Sequence, residues 1–221
     1  MIMRKLILII AVGVGVWYWQ QGGLPFVEEA GAFDENRNPL VWIFTVDNCG
    51  KPCESGRNDL KRRRVSFEEK LIDINDQNDE NVALWKSLRS NNSFPLIVAG
   101  AEKIVGSDRP AIAGILGKNF GDRYLSKTEK RYFEQHFYAD GSPRIVMYGA
   151  DWCGYCRKLR NELKANNVDF IEIDVEKRGD KERIAKTMGV YGYPTTWVGY
   201  SRVRGTNLNA VRSALDNYPP G

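Results

Sequence analysis

Ile145-Val146-Met147-Tyr148-Gly149-Ala150-Asp151-Trp152-Cys153-Gly154-Tyr155-Cys156 is the stretch on which the fold turns. Ile145 to Tyr148 is an apolar, β-prone run that predicts a strand, and it leads straight into two cysteines spaced i to i+3. Leu163, farther on, lies on a helix that begins at the cysteines. The first thiol then stands just before the helix and the second inside its first turn, close enough for a disulfide. A helix N-terminus offers unpaired N–H groups and the positive end of the dipole, which stabilise a thiolate at the first position. Cys153 is therefore the expected nucleophile. Cys156 is the expected resolving thiol, attacking the mixed disulfide to release the substrate.

A CxxC also fits a zinc site, so the remaining ligand types matter. The chain of 221 residues has four cysteines and one histidine. A structural zinc site usually draws four ligands from two close pairs, but Cys49/Cys53 and Cys153/Cys156 lie about 100 residues apart, so each pair is expected to work alone. No metal and no cofactor is assigned. Hydrophobic residues make up 43% and aromatic residues 11%, enough to bury a core in one large domain or two small ones. The net charge of +4 is the remainder of 32 basic against 28 acidic side chains and does not call for nucleic acid.

The sequence repeats itself. Pro95 to Gly100 and on to Leu116 matches Pro194 to Gly199 and on to Leu215 at a constant offset of 99, pairing Pro95 with Pro194, Gly100 with Gly199 and Gly106 with Gly205. Upstream, Cys53, Leu60, Val65 and Phe67 pair with Cys156, Leu163, Val168 and Phe170 at an offset of 103, and Cys49 pairs with Cys153 at 104, so one residue is extra between the first two cysteines. Strands are expected at Val41 to Val46 and Ile145 to Tyr148, then around Phe67 to Ile74 and Phe170 to Val175. Helices are expected near Asp79 to Ser90 and Asp180 to Met188, a hairpin follows each proline, and closing helices end near Leu116 and Leu215. This β-α-β-α-β-β-α order, present twice, argues for an α/β chain with two mixed sheets flanked by helices. Between the copies, Ser126-Lys127-Thr128-Glu129 is a capping box opening a helix through about Tyr138, and Asp140-Gly141-Ser142-Pro143 ends it. That helix is either a connector or the first helix of the second domain.

At the N-terminus, Arg4 and Lys5 precede the uncharged run Leu6 to Trp19. Its length falls short of a bilayer core of roughly 30 Å and suits a signal-peptide h-region, whereas the terminal Trp17-Tyr18-Trp19 reads as an interfacial belt and favours an uncleaved anchor. Basic residues before the run and acidic ones after it are expected to place the bulk of the chain outside the cytoplasm, in the periplasm if the source is bacterial, where disulfides persist. The expected organisation is a signal or anchor segment over residues 1–21, a Gly/Pro/acidic tether over 22–38, a first domain over 39–120, a connector helix over 121–142 and a second domain over 143–221.

Ala150-Asp151-Trp152-Cys153-Gly154-Tyr155-Cys156, with Gly192-Tyr193-Pro194-Thr195 downstream, resembles the thioredoxin/glutaredoxin superfamily. The resemblance implies two tandem thioredoxin-like domains of glutaredoxin type and a thiol–disulfide oxidoreductase acting on protein disulfides or on glutathione, the latter also as co-substrate. It implies a cis peptide at Pro194, packed against the dithiol, and a substrate-binding surface of Trp152, Tyr155, Tyr193 and Pro194. Thioredoxins usually carry a buried Asp six positions before the first Cys, where this chain has Met147. That departure and the short fold bring it nearer to glutaredoxins. The Trp before the first Cys is thioredoxin-like, and Gly-Tyr between the cysteines also occurs in periplasmic disulfide isomerases.

Cys49-Gly50-Lys51-Pro52-Cys53 looks like a thioredoxin-type Cys-Gly-Pro-Cys with Lys51 inserted, and Val105-Gly106-Ser107-Asp108 resembles the glutaredoxin segment that holds the γ-glutamyl end of glutathione. Three readings of Cys49, Cys53 and Pro95 stay open: a second redox site, a structural disulfide in a thioredoxin-fold binding module, or a copper site of the metallochaperone kind, since soft thiolates suit Cu(I). The distal histidine such a copper site needs has one candidate, His136, expected at the surface of the connector helix. Lys61-Arg62-Arg63-Arg64 reads as a solvated helix end complementing the dipole, with recognition of an acidic partner as the alternative. Trp42, Trp85 and Trp197 read as core.

Overall fold

The computed structural model describes residues 30–76, 78–89, 91–203 and 206–218. The predicted anchor at 1–21 and residues 22–29 of the predicted tether lie outside them. Among the described residues, no helix is long and apolar enough to cross a membrane. The described residues from Gly31 onward form one compact unit.

Two sheets of the same design are present. The first copy runs β1 (Val41–Val46), α1 (Lys51–Arg62), β2 (Glu68–Ile72), α2 (Glu80–Leu88), β3 (Leu96–Ala99), β4 (Glu102–Val105) and α3 (Arg109–Phe120). Helix α4 (Lys127–Phe133) follows and tightens into a 3-10 turn at Glu134–His136. The second copy runs β5 (Ile145–Gly149), α5 (Gly154–Ala165), β6 (Ile171–Asp174), α6 (Lys181–Met188), β7 (Thr195–Val198), β8 (Ser201–Arg202) and α7 (Leu208–Asp216), with a 3-10 turn at Val175–Lys177. Sheet order is β2-β1-β3-β4 and β6-β5-β7-β8. In each, the first two strands are parallel and the other pairings antiparallel. The element order expected from the repeat is thus the one observed, with two mixed sheets flanked by helices.

Strand alternation explains the layering, because successive side chains face opposite sides of a sheet. Val146 and Tyr148 face one side with Trp197, Ile184 and Met188. Ile145 and Met147 face the other with Cys153, Cys156, Leu159 and Leu163. In the first sheet, Phe44, Leu96 and Val98 pack with Trp85, while Ile43 and Ile97 pack with Leu60, Ile112 and Leu116. Trp85 and Trp197 are core as expected, whereas Trp42 is half-buried, with the Lys70 ammonium 5.0 Å from its ring centroid.

Four readings of the sequence need correction. Residues 31–38, assigned to the tether, belong to the folded first copy: Ala32 is buried, its N–H donates to Gly100 O at 2.8 Å, and its carbonyl accepts from Leu40 N–H at 2.7 Å. Helix α4 stops before Tyr138, because Tyr138 N–H donates to Ser142 O and Phe137 bridges Pro143 instead. The capping box is present as predicted, and α4 is no free connector, since Tyr132 and Phe133 enter the core of the second sheet. Arg63 in the basic run is 6% exposed and so is not solvated; it pairs with Asp59 at 2.7 Å and with Glu129 at 2.6 Å.

The fourth correction is His136, which is fully buried. Its Nδ1 lies 2.9 Å from Gly199 O and its Nε2 2.8 Å from the Tyr148 hydroxyl. A carbonyl can only accept, so Nδ1 carries the proton and Nε2 accepts from Tyr148. Burial pushes the His136 pKa down to about 4, against a hydrogen bond to Gly199 that raises it. The folded ring resists protonation while the unfolded ring takes a proton near pH 6.5, so this contribution is intact above 6.5 and is lost as pH falls towards 4. The loss amounts to about 3 kcal/mol. Urea unfolding across that window should show it in the wild type and not in His136→Phe.

The two copies share a wall. Helix α3 sends Ile112 and Leu116 into the first core and Ala113 into the second. Its neighbouring face carries Gly114 and Gly117, where a Cβ would stand 2.6 Å from Tyr200 O and 2.4 Å from the Tyr200 ring. Only glycine allows this approach, despite its cost in a helix interior. Asp108 at the start of α3 pairs with Arg202 and accepts from the Tyr191 hydroxyl at 3.1 Å.

Candidate functional site

Strand β5 delivers Cys153 to the N-cap of α5, the position expected from the sequence. Cys153 Sγ accepts the backbone N–H of Cys156 at 3.0 Å, and Cys153 O accepts from Arg157 N–H at 3.1 Å as the helix opens. The two sulfurs are joined as a disulfide. Cys153 is 4% exposed and Cys156 is fully buried, so any attack from outside meets Cys153 first.

The predicted surface residues gather around this pair. Trp152 and Tyr155 are exposed by 70% and 69%, large values for aromatic side chains. The Trp152 ring meets the Tyr193 ring edge-on at 5.8 Å, and Tyr193 also packs against the cluster containing both cysteines. The Tyr193-Pro194 peptide is cis. Tyr193 donates its hydroxyl to Glu176 at 3.0 Å; burial and that carboxylate raise its pKa. Lys177 pairs with Asp151 beside Trp152 and reaches Asp174 at 3.5 Å. The Lys177 hydrogen bond holds the Asp151 carboxyl below its ordinary range.

Beneath the dithiol lies a pair the sequence reading missed. Arg160 on α5 grips Glu172 on β6 with two of its guanidinium nitrogens, Nε donating to Oε2 at 2.5 Å and Nη2 to Oε1 at 2.6 Å. Glu172 is the register partner of Met147, so it shares the sheet face with the cysteine cluster. A signal was present, because Arg57 and Glu69 stand 103 residues before Arg160 and Glu172, the offset that also pairs Cys53 with Cys156.

The first copy is built differently. Cys49 and Cys53 are joined as a disulfide, and Phe94-Pro95 is also cis. The N-cap of α1, however, is Gly50, and no side chain caps that helix. The inserted residue has moved Cys49 off the cap, so its sulfur does not receive the helix N–H that Cys153 receives. The counterpart of Trp152 is Asn48, and Phe94, beside Pro95, stacks inward on Trp85 at 5.0 Å. Among the described residues, neither of these positions gives the pair an exposed aromatic ring of the kind that Trp152 gives Cys153. His136 lies in the core of the second copy, hydrogen-bonded through both ring nitrogens, so it does not serve Cys49 and Cys53. Among the described residues, no group of three or more His, Cys, Asp or Glu is placed to hold a metal ion.

The glutaredoxin family model matches residues 145–203. A glutaredoxin of Pseudomonas aeruginosa is 31% identical over 74 residues, covering 33% of this chain and 88% of that protein. A thioredoxin domain-containing protein of Acanthamoeba polyphaga mimivirus is 33% identical over 87 residues, or 35% of this chain; the match spans only 25% of that protein's length. Among solved structures, wheat glutaredoxin matches with a TM-score of 0.34 at 14% identity, covering 42% of this chain and 94% of its own. A glutaredoxin of Archaeoglobus fulgidus matches with a TM-score of 0.30 at 26% identity, covering 38% and 91%.

Proposed function

The chain belongs to the glutaredoxin family, and from that premise we propose that it is a thiol–disulfide oxidoreductase whose working dithiol is Cys153 and Cys156. The observation that carries this reading is Cys153 Sγ at the helix cap, accepting the Cys156 N–H at 3.0 Å. Once the disulfide is reduced, the same N–H and the helix dipole favour thiolate over thiol at Cys153. The thiolate attacks one sulfur of a substrate disulfide, forming a mixed disulfide and expelling the other sulfur as thiolate. Cys156 then attacks Cys153 Sγ, restoring the internal disulfide and releasing the second substrate sulfur. Two electrons pass from the dithiol to the substrate, and an external thiol reductant returns them.

The exposed ring faces of Trp152 and Tyr155, with Tyr193 and Pro194 beside them, support a protein disulfide or glutathione as the partner. The apolar run Leu6 to Trp19 supports placing this chemistry at a membrane, with the dithiol outside the cytoplasm. For the first copy, the uncapped Cys49 and Asn48 in the place of Trp152 support a disulfide that staples the domain rather than a second reaction centre.

The test is trapping. Reduced Cys156→Ser protein, offered a peptide disulfide, should accumulate a mixed disulfide through Cys153, seen as an added peptide mass that reductant removes. In the same experiment the Cys49→Ser/Cys53→Ser protein should turn over without accumulating adduct. If Cys156→Ser forms no adduct, the oxidoreductase reading fails and Cys153–Cys156 is structural.

A further inference from the structure

We propose that Glu172 is the proton acceptor for the Cys156 thiol in the second half of the reaction, with Arg160 as the residue that positions it. The proposal rests on the dithiol reading above and assigns a role that reading leaves empty. Cys156 must lose a proton before it can attack, because the thiolate is the nucleophile. It is fully buried, and the helix N–H at hand goes to Cys153 Sγ, so nothing at the helix cap favours its ionisation.

The geometry beside Gly149 supplies what is needed. A Cβ built on Gly149 would stand 3.0 Å from Cys156 Sγ and 3.4 Å from Glu172 Oε1. Thiol and carboxylate therefore flank the same bare face of one glycine, with Sγ and Oε1 no more than about 6.4 Å apart, a span that one water can bridge. Arg160 holds the carboxylate by two hydrogen bonds, and its own pKa is raised by the hydrogen bond to Glu172. Of the other charged groups at this end of the sheet, Lys177 pairs with Asp151 and Asp174, and Glu176 pairs with Lys181.

The first copy serves as an internal control. Cys53, Arg57 and Glu69 repeat the same three residues, and Arg57 Nε donates to Glu69 Oε1 at 2.8 Å. Glu69 pairs with Ile43 as Glu172 pairs with Met147, so Thr45 occupies the register position of Gly149. The Thr45 hydroxyl is buried and donates to Glu69 Oε1 at 2.7 Å. In the first copy a side chain closes the space and takes the carboxylate oxygen. In the second copy, glycine leaves that space open between carboxylate and thiol. The copy with the capped nucleophile is the one in which no side chain stands between carboxylate and thiol, and Glu172 Oε1, which accepts from Arg160 Nη2 at 2.6 Å, has a second lone pair to offer.

The step balances as follows. Cys156 S–H gives its proton to the Glu172 carboxylate, and the thiolate attacks Cys153 Sγ. The bond between Cys153 and the substrate sulfur breaks, the Cys153–Cys156 disulfide forms, and the substrate leaves as a thiolate. The proton on Glu172 passes to that thiolate or to solvent. The dithiol is oxidised by two electrons and the substrate disulfide reduced by the same two.

A symmetrical aromatic disulfide releases one coloured thiolate in each step, so stopped flow on the reduced full-length chain reads attack by Cys153 and resolution by Cys156 separately. In Glu172→Gln the second phase at pH 7 should slow on the order of 100-fold, and its rate should climb roughly tenfold per pH unit towards the thiol's own ionisation. The loss should fall on the second phase and not on the first. Glu172→Gln/Arg160→Gln removes the pair together and leaves no unpaired charge; the same phase-specific loss is expected. Recovery of the second phase in the double variant would show that the unpaired guanidinium caused the loss, and an unchanged second phase or pH profile in Glu172→Gln would equally overturn the assignment. Absence of the first phase in the wild type would instead sink the oxidoreductase reading itself.

Discussion

Cys153→Ser should lower the rate of disulfide reduction by at least about 1,000-fold, the scale on which enzymes lose activity when their nucleophile is removed. Serine at the cap can still accept the Cys156 N–H, so the helix start survives while the nucleophile does not. Cys156 cannot substitute, being fully buried beneath the cap. The measurement is turnover of a model disulfide with excess thiol reductant, normalised to folded protein by circular dichroism. Cys49→Ser, measured alongside, should stay near the wild-type rate, because Cys49 lies outside the cap of its helix. Substantial activity in Cys153→Ser, or its loss in Cys49→Ser, would transfer the chemistry to the first copy.

Arg63→Met should destabilise the protein by about 3–5 kcal/mol, the cost of removing one partner from a buried charged network. The Arg63 guanidinium donates to Asp59 at 2.7 Å, to both Glu129 oxygens at 2.6 and 2.8 Å, and to Tyr124 O at 3.2 Å. It thereby ties the end of α1 to the start of α4, whose next turn enters the second core. Burial pushes the Glu129 carboxyl up, but Arg63 and the Ser126 cap outweigh it and hold the pKa below the usual value. The folded state therefore keeps that charge where the unfolded chain begins to take a proton, and stability falls as pH drops below about 4.5. Urea unfolding at pH 7 measures the effect. Arg63→Met/Glu129→Met should recover part of it, since no charge is then left without its partner. A loss of under about 1 kcal/mol, typical of a surface pair, would show that the network does not join the copies.

The fold was legible because both periodicities it rests on are short-range. Ile145 to Gly149 alternates between two apolar faces, and the constant offsets between the copies align strand with strand. The dithiol was legible for the same reason, since cap and first turn are neighbours in sequence. His136 and Arg63 were misread because burial is not a property of their neighbours along the chain. Each is covered by residues at least 60 positions away, Gly199 for the histidine and Glu129 for the arginine.

The sequence by itself determined that this chain carries two copies of one α/β design and that the second holds an intact dithiol at a helix start. Hydrogen bonding at a helix cap and side-chain alternation along a strand act within a few residues, so the order of residues suffices to specify them. Only the tertiary structure decided how the copies differ in chemistry. It placed Glu172 beside Met147 in the strand register, where Gly149 leaves the way to Cys156 open while Thr45 closes the matching space in the first copy. Those differences lie in distances between elements, which strand register and helix packing set.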